Sequence, residues 1–402
     1  MRTPFVIIAV LVVVLVALDA AFGGGTARPE RLTPVADIAH RVEALRGLRY
    51  VRIPRPAAVS PAEARRDGIT EFDRSYPRTQ RLADEEMLTL LGLAPAGFSL
   101  RDAAASLYAE GVAGYYDPRT KRLRTVSGPA TGTRSTAETV LAHELTHALE
   151  DQRFRLLGST ESAGSSDVSL AHLALIEGTA TTVMQRYQSR YFTPSDVLAG
   201  ALASAFAPQP SMPDFLQAQT LFPYLGGAAF VGELLRRAGG RWDLVNVAER
   251  LRPPASTEQV LHPERYLRAD QPKRVRLGSP GAGWTRVAGG TWGELQTREM
   301  LAAGGGGGDV DAAAAGWGGD RWALWRSAPV GDGCRSPCRA EDVLVMRWRW
   351  DTARDRAEFA AALRRFVGVR LRGGAAVVVR GGAVTLALAP SAALARRVAA
   401  LT

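Results

Sequence analysis

Two histidines four residues apart, with a glutamate after the first, constrain this chain more than any other stretch of it: His143-Glu144-Leu145-Thr146-His147. On an α-helix, residues at this spacing lie about 40° apart around the axis and one turn apart along it, so both imidazoles reach one point in space. Two imidazoles converging on a point form a metal-ligand pair. Glu144 projects beside them, where it can take a proton from a water that the metal acidifies. With only 5 histidines in 402 residues, a chance occurrence of the spacing is rare. The alternative reading is an exposed helix carrying two solvated histidines.

The flanking residues predict a real helix, partly buried. Ser135-Thr136-Ala137-Glu138 has the form of a capping box, which starts the helix near Ser135. Val140, Leu141, Leu145, Ala148 and Leu149 recur at spacings of three and four and make an apolar stripe beside the histidine edge. Asp151, one turn beyond His147, is either an acceptor behind the metal ligands or a solvated residue at the helix end.

A catalytic zinc site takes three protein ligands and leaves one position open. The other histidines are His40, His172 and His262, and a carboxylate is the remaining option. Ser165-Ser166-Asp167 opens an apolar-periodic run to about Tyr191, read as a second helix with Glu177 near its middle. Glu177 lies in Leu175-Ile176-Glu177-Gly178-Thr179-Ala180-Thr181, whose small residues suit close packing against another helix. A buried, unpaired carboxylate is costly, so a metal partner is the natural explanation, against the alternative of a helix glutamate facing solvent. His172 lies five residues earlier, about 140° around the same helix, so it and Glu177 cannot easily face one metal.

The zinc helix with Asp151 resembles that of thermolysin-type gluzincins, whose third ligand is a glutamate on the following helix. The resemblance implies a zincin-like fold, one Zn2+, ligands His143, His147 and Glu177, and Glu144 as general base acting on a peptide or protein substrate. The chain departs from thermolysin in two places. The segment between His147 and Glu177 is longer, with a Gly/Ser-rich stretch over Gly158 to Ser166 that reads as an inserted loop. Thr181 stands where thermolysin-like enzymes carry an aspartate that orients the first histidine. The Glu-Gly-x-Ala form is closer to uncharacterised bacterial and archaeal gluzincin-like proteins.

Val112 to Tyr116, a turn at Asp117-Pro118-Arg119-Thr120, and Leu123 to Val126 read as a hairpin entering the zinc helix. The 122 to 126 strand is expected either as an edge on which an extended peptide adds, or as a buried structural strand. Hydrolysis also needs a donor to the oxyanion. His262 and Tyr266, in the polar stretch after Ser256, are the candidates, with Tyr115 and Tyr116 as competitors.

Met1-Arg2-Thr3 and the apolar run from Pro4 to Leu18, followed by Ala20 and Ala21, predict an export signal or a retained N-terminal membrane anchor over 1–22. A linker follows over 23–34, and the mature chain is expected outside the cytoplasm. The net charge of +10 comes almost wholly from arginine, read as scattered, so no nucleic-acid partner is expected. Cys334 and Cys338, four apart in an exported chain, suggest a small disulfide loop, with two unpaired thiols as the alternative.

After about Leu277 the pattern changes. Val343 to Trp350 reads as a strand, Ala353 to Phe366 as a helix, Ala375 to Arg380 and Ala383 to Ala389 as a hairpin across Gly381-Gly382, and Ser391 to Leu401 as a last helix. The expected class is α+β: a zincin-like domain over 35–275 and a smaller α+β domain over 276–402. The functional expectation is a zinc-dependent metallopeptidase. The rival is a non-catalytic envelope protein that keeps the fold for binding.

Overall fold

The computed structural model describes residues 33–110, 114–126, 134–155, 166–196, 212–305, 309–327, 341–371 and 373–401. The expected N-terminal signal, the Gly/Ser-rich stretch but for Ser166, and Cys334 with Cys338 lie outside these residues. Among the described residues no helix is long and apolar enough to cross a membrane.

The chain is a mixed α+β protein. Its elements begin with α1 (Val35–Arg46), β1 (Pro56–Val59), α2 (Pro61–Ser75), α3 (Arg78–Leu90), α4 (Leu100–Glu110), β2 (Gly114–Asp117) and β3 (Arg122–Val126). Two long helices follow, α5 (Arg134–Phe154) and α6 (Ser166–Tyr191), then α7 (Asp214–Arg237), α8 (Asp243–Arg250), α9 (Thr257–Leu261) and α10 (Pro263–Leu267). The last part holds β4 (Trp284–Gly290), α11 (Gly293–Ala303), α12 (Val310–Ala314), β5 (Trp317–Ser327), β6 (Asp342–Trp350), α13 (Ala353–Arg370), β7 (Ala375–Arg380), β8 (Ala383–Leu388) and α14 (Ala392–Leu401).

The expected hairpin is present, with Tyr116 paired to Leu123, but it is not a two-stranded unit. Strand β1, which the sequence reading did not find, pairs in parallel with β3, so the order is β1-β3-β2. This overturns the edge alternative for the 122–126 strand and leaves the structural one: the strand is central, both its edges are taken, and the strand on the rim beside α5 is β2. The second sheet is fully antiparallel in the order β4-β5-β6-β8-β7. Gly381 and Gly382, both at positive φ, close the β7-β8 hairpin with the left-handed pair that a two-residue turn requires.

Two cores hold the molecule together. One joins α1, α5, α6, α7 and α8 around residues such as Val42, Leu145, Leu170, Phe230 and Val245. The other joins α3 and α4 to the five-stranded sheet, with Met87, Leu91 and Ala104 packed alongside Trp317, Trp348 and Phe359. The packing therefore crosses the position near residue 275 where the sequence pattern changes. A polar clamp also crosses it. Asp167 in the first turn of α6 accepts from the Thr257 amide at 3.1 Å and hydroxyl at 2.6 Å, and Thr257 Oγ1 accepts from the Leu295 amide of α11. Helix α6 is thus pinned at the end that leads towards Glu177.

The α6 and α7 helices touch backbone to backbone. A Cβ on Gly178 would lie 2.2 Å from the Gly227 carbonyl carbon, and one on Gly227 would lie 2.0 Å from the Ala174 oxygen. Only glycine at both positions permits this approach.

Candidate metal centre

Helix α5 carries His143 and His147 in mid-helix with Leu145, Ala148 and Leu149 fully buried behind them. Helix α6 brings Glu177 across. Both histidine Nε2 atoms and Glu177 Oε2 form a small triangle: His143 to His147 3.0 Å, His143 to Glu177 3.1 Å, His147 to Glu177 3.3 Å. Ligands at about 2.0–2.1 Å from a tetrahedral ion stand roughly 3.3 Å from one another, so the three atoms lie close to the edges of one face of such a polyhedron. All three residues are buried. The group can hold a metal ion, and its donor set of two imidazoles and a carboxylate is one that zinc accepts.

The charges are tuned by this proximity. Burial pushes Glu177 upwards, but the His147 charge and the hydrogen bonds from His143 and His147 outweigh it and hold the carboxyl at about 2. Burial opposes the His147 charge, and Glu177 overcomes that and lifts the imidazole to about 9. His143 is held below its ordinary value by burial, with the His147 charge adding to it. Glu144 is raised to about 8, chiefly by burial and then by Glu177, with His147 and the Tyr116 amide partly offsetting the rise. That amide donates to Glu144 Oε2 at 2.8 Å, while Oε1 is buried without a partner.

The hairpin is tied to the same helix by Asp151. Its Oδ2 accepts from Tyr116 Oη at 2.8 Å and Lys121 Nζ at 2.6 Å. Asp151 is therefore buried rather than solvated, and its bonds fix β2 against α5. Behind His147 lies a second buried cluster. Arg46 donates to Glu150 at 2.7 Å and to Glu249 at 2.6 Å, with all three residues buried and the guanidinium 4.3 Å over the Trp242 ring. Two acids on one base tie α1, α5 and α8 together at the floor of the site.

His262 and Tyr266, expected as oxyanion donors, are committed elsewhere. His262 Nε2 bonds Glu294 Oε1 at 2.8 Å at the joint of α9 and α10. Tyr266 is buried against Phe230 and donates to the Arg252 carbonyl at 3.0 Å. Tyr115 donates to Asp67. His172 is buried on α6 outside the triangle, and His40 is exposed and bonded to Glu43. The residue that sequence reasoning missed is Tyr224 on α7. Its half-buried ring lies 6.2 Å from the His143 ring, centroid to centroid. No local pattern marked it; only the glycine-to-glycine crossing of α6 and α7 brings it there. Thr181 is buried with its hydroxyl unpartnered, and His143 Nδ1 is likewise without a partner.

Residues 284–399 match a sequence family described as a domain of unknown function (DUF8575). The matched segment covers less than half of the chain and contains none of the triangle. No curated protein matches the chain, and no solved structure matches it.

Proposed function

We propose that the protein is a zincin-like, gluzincin-type metallopeptidase working outside the cytoplasm, with His143, His147 and Glu177 holding one zinc ion and Glu144 as base. The observation that carries this reading is the Nε2, Nε2, Oε2 triangle with a buried carboxylate beside it. Zinc, when bound, supplies Lewis acidity that brings a water pKa to about 7.

The chain's own residues supply the rest. Glu144, held beside the triangle, would accept the water proton and return it to the leaving amine. The Tyr116 amide holds one Glu144 oxygen, which leaves Oε1 to do the exchange. Tyr224, whose ring lies 6.2 Å from that of His143, is the donor we assign to the carbonyl oxygen. Rim strand β2 offers main-chain groups for an extended peptide next to Glu144.

The test is Glu144→Gln. We expect zinc content equal to wild type and loss of cleavage of a peptide library by at least about a hundredfold. Equal turnover by the variant refutes the mechanism. The unpartnered His143 Nδ1 favours a second reading, a metal-holding scaffold without turnover. Zinc-loaded wild type that cleaves nothing in the library selects it.

A further inference from the structure

The positive charge is not spread evenly. After Glu358 the sequence contains no aspartate or glutamate and seven arginines. Strand register places another group of arginines on one face of the five-stranded sheet. Arg321 on β5 stands directly opposite Arg347 on β6, and Arg349 shares the face two residues on. Arg380 joins them through Ala383, which pairs with both Arg349 and Arg380. Arg286 on β4 lies opposite Trp325, on the same face, and its guanidinium reaches back over Gly289.

Like charges directly opposite one another weaken a sheet. Here no ion pair relieves Arg286, Arg321, Arg347 or Arg349 among the described residues, whereas neighbouring Arg326 is paired with Asp342 at 2.7 Å. Burial depresses the Arg347 guanidinium, and Arg349 adds to the effect; burial and then Arg321 do the same to Arg286. The remainder of this sheet face is covered by α14, where Val343 and Val345 pack on Val398. The 273–277 segment also lies on this face, with the Lys273 backbone against Gly319 opposite Arg349, and among the described residues Arg286, Arg321, Arg349 and Arg380 stay exposed beside it.

Its surroundings identify the partner. Exposed Val287 follows Arg286 at the irregularity of β4, and exposed Leu401 follows Ala400, whose carbonyl accepts from Arg380. Trp284 and Trp325, the rings on this face, are packed into the α14 contact. A single-stranded nucleic acid is gripped by exposed rings as well as charge. Guanidiniums interspersed with aliphatic side chains suit a layer of lipid headgroups.

We propose that the Arg286, Arg321, Arg347, Arg349 and Arg380 face of the C-terminal sheet docks on a membrane surface of anionic phospholipid, its guanidiniums binding the headgroup phosphates. The assignment is independent of the metal centre.

Co-sedimentation of the full chain with phosphatidylcholine vesicles, with and without phosphatidylglycerol, tests it. The N-terminal apolar segment contributes equally to both vesicle types, so the difference between them isolates the headgroups. We expect tighter binding to the anionic vesicles, weakening as salt rises. Arg321→Gln/Arg347→Gln/Arg349→Gln is expected to lose on the order of a hundredfold of it, from about 1 kcal/mol per residue at 1.4 kcal/mol per decade. Arg364→Gln/Arg365→Gln, on the outer side of α13, removes charge away from the face and is expected to keep most of the preference. Equal loss in both variants shows that net charge alone is at work and overturns the proposal, as does equal binding to both vesicle types. Tighter binding to single-stranded DNA than to anionic vesicles, lost in the same triple variant, replaces lipid by nucleic acid and also overturns it.

Discussion

Gly178→Ala isolates the contact that sets Tyr224 beside His143. The added Cβ would lie 2.2 Å from the Gly227 carbonyl carbon, 2.3 Å from its oxygen and 2.7 Å from its Cα. All three are backbone atoms of a packed helix, so no side chain can swing away. The two helices must part by about 1 Å before the methyl reaches ordinary contact, a strain of about 1–3 kcal/mol. Alanine returns up to about 1 kcal/mol of helix propensity, which leaves a net loss of roughly 0–2 kcal/mol and a modest fall in Tm. The effect on chemistry is expected to be larger than the effect on stability. Tyr224 precedes Gly227 by one turn on α7, and a shift of about 1 Å at a catalytic group costs on the order of a hundredfold in rate. Glu177 stays with α6 and its clamp at Asp167, so zinc content is expected to be unchanged. The assay is zinc stoichiometry, thermal melting and peptide-library turnover of wild type, Gly178→Ala and Tyr224→Phe side by side. Wild-type melting and wild-type turnover in Gly178→Ala refute the crossing argument. Full turnover in Tyr224→Phe removes the tyrosine from the mechanism whatever the glycine does.

Three further outcomes follow from the same geometry. Glu177→Ala leaves two histidines and is expected to cut zinc affinity by more than the roughly 10–100-fold typical of outer-sphere partners; equilibrium dialysis with zinc analysis reads it, and wild-type affinity removes Glu177 from the site. Arg46→Met leaves Glu150 and Glu249 facing each other in the interior, with an expected loss of about 3–5 kcal/mol in urea unfolding; a loss below about 1 kcal/mol shows that the acids share the site without the arginine. Buried Asp84, which accepts from Tyr76 and the Gln80 amide, is raised to about 8 by burial. Its contribution to stability is therefore full below the ordinary carboxylate range and fades as pH rises towards 8. Asp84→Asn is expected to flatten that decline between about pH 4 and 8, and an unchanged pH profile of Tm contradicts the assignment.

Much of the local structure was legible in residue order. The long helix from Ser166 to Tyr191, the β2-β3 hairpin and the Gly381-Gly382 hairpin follow from apolar period and turn chemistry, which act over a few residues and leave a mark in every window. The pairing of His143 with His147 follows from helix geometry alone. Strand β1 escaped because Pro56–Val59 is four residues long and pairs with a partner more than sixty residues away. For the same reason the 122–126 strand could be read as an edge when a third strand covers it.

His143, Glu144 and His147 are determined by the sequence, because a regular helix fixes the direction of side chains four apart. What surrounds them is decided only in three dimensions. His262 and Tyr266 carry suitable chemistry, but Glu294 and the Arg252 carbonyl, 32 and 14 residues from them in sequence, claim their polar atoms. Tyr224 comes beside His143 because Gly178 and Gly227, 49 residues apart in sequence, let α6 and α7 touch, and the Arg46 cluster forms because three helices bury one guanidinium between two acids. The arginine face likewise exists only through strand register, which sets residues from four separate strands side by side. Period and propensity are properties of neighbours in the chain; a site's third ligand, its donor and its charged surfaces are properties of neighbours in space.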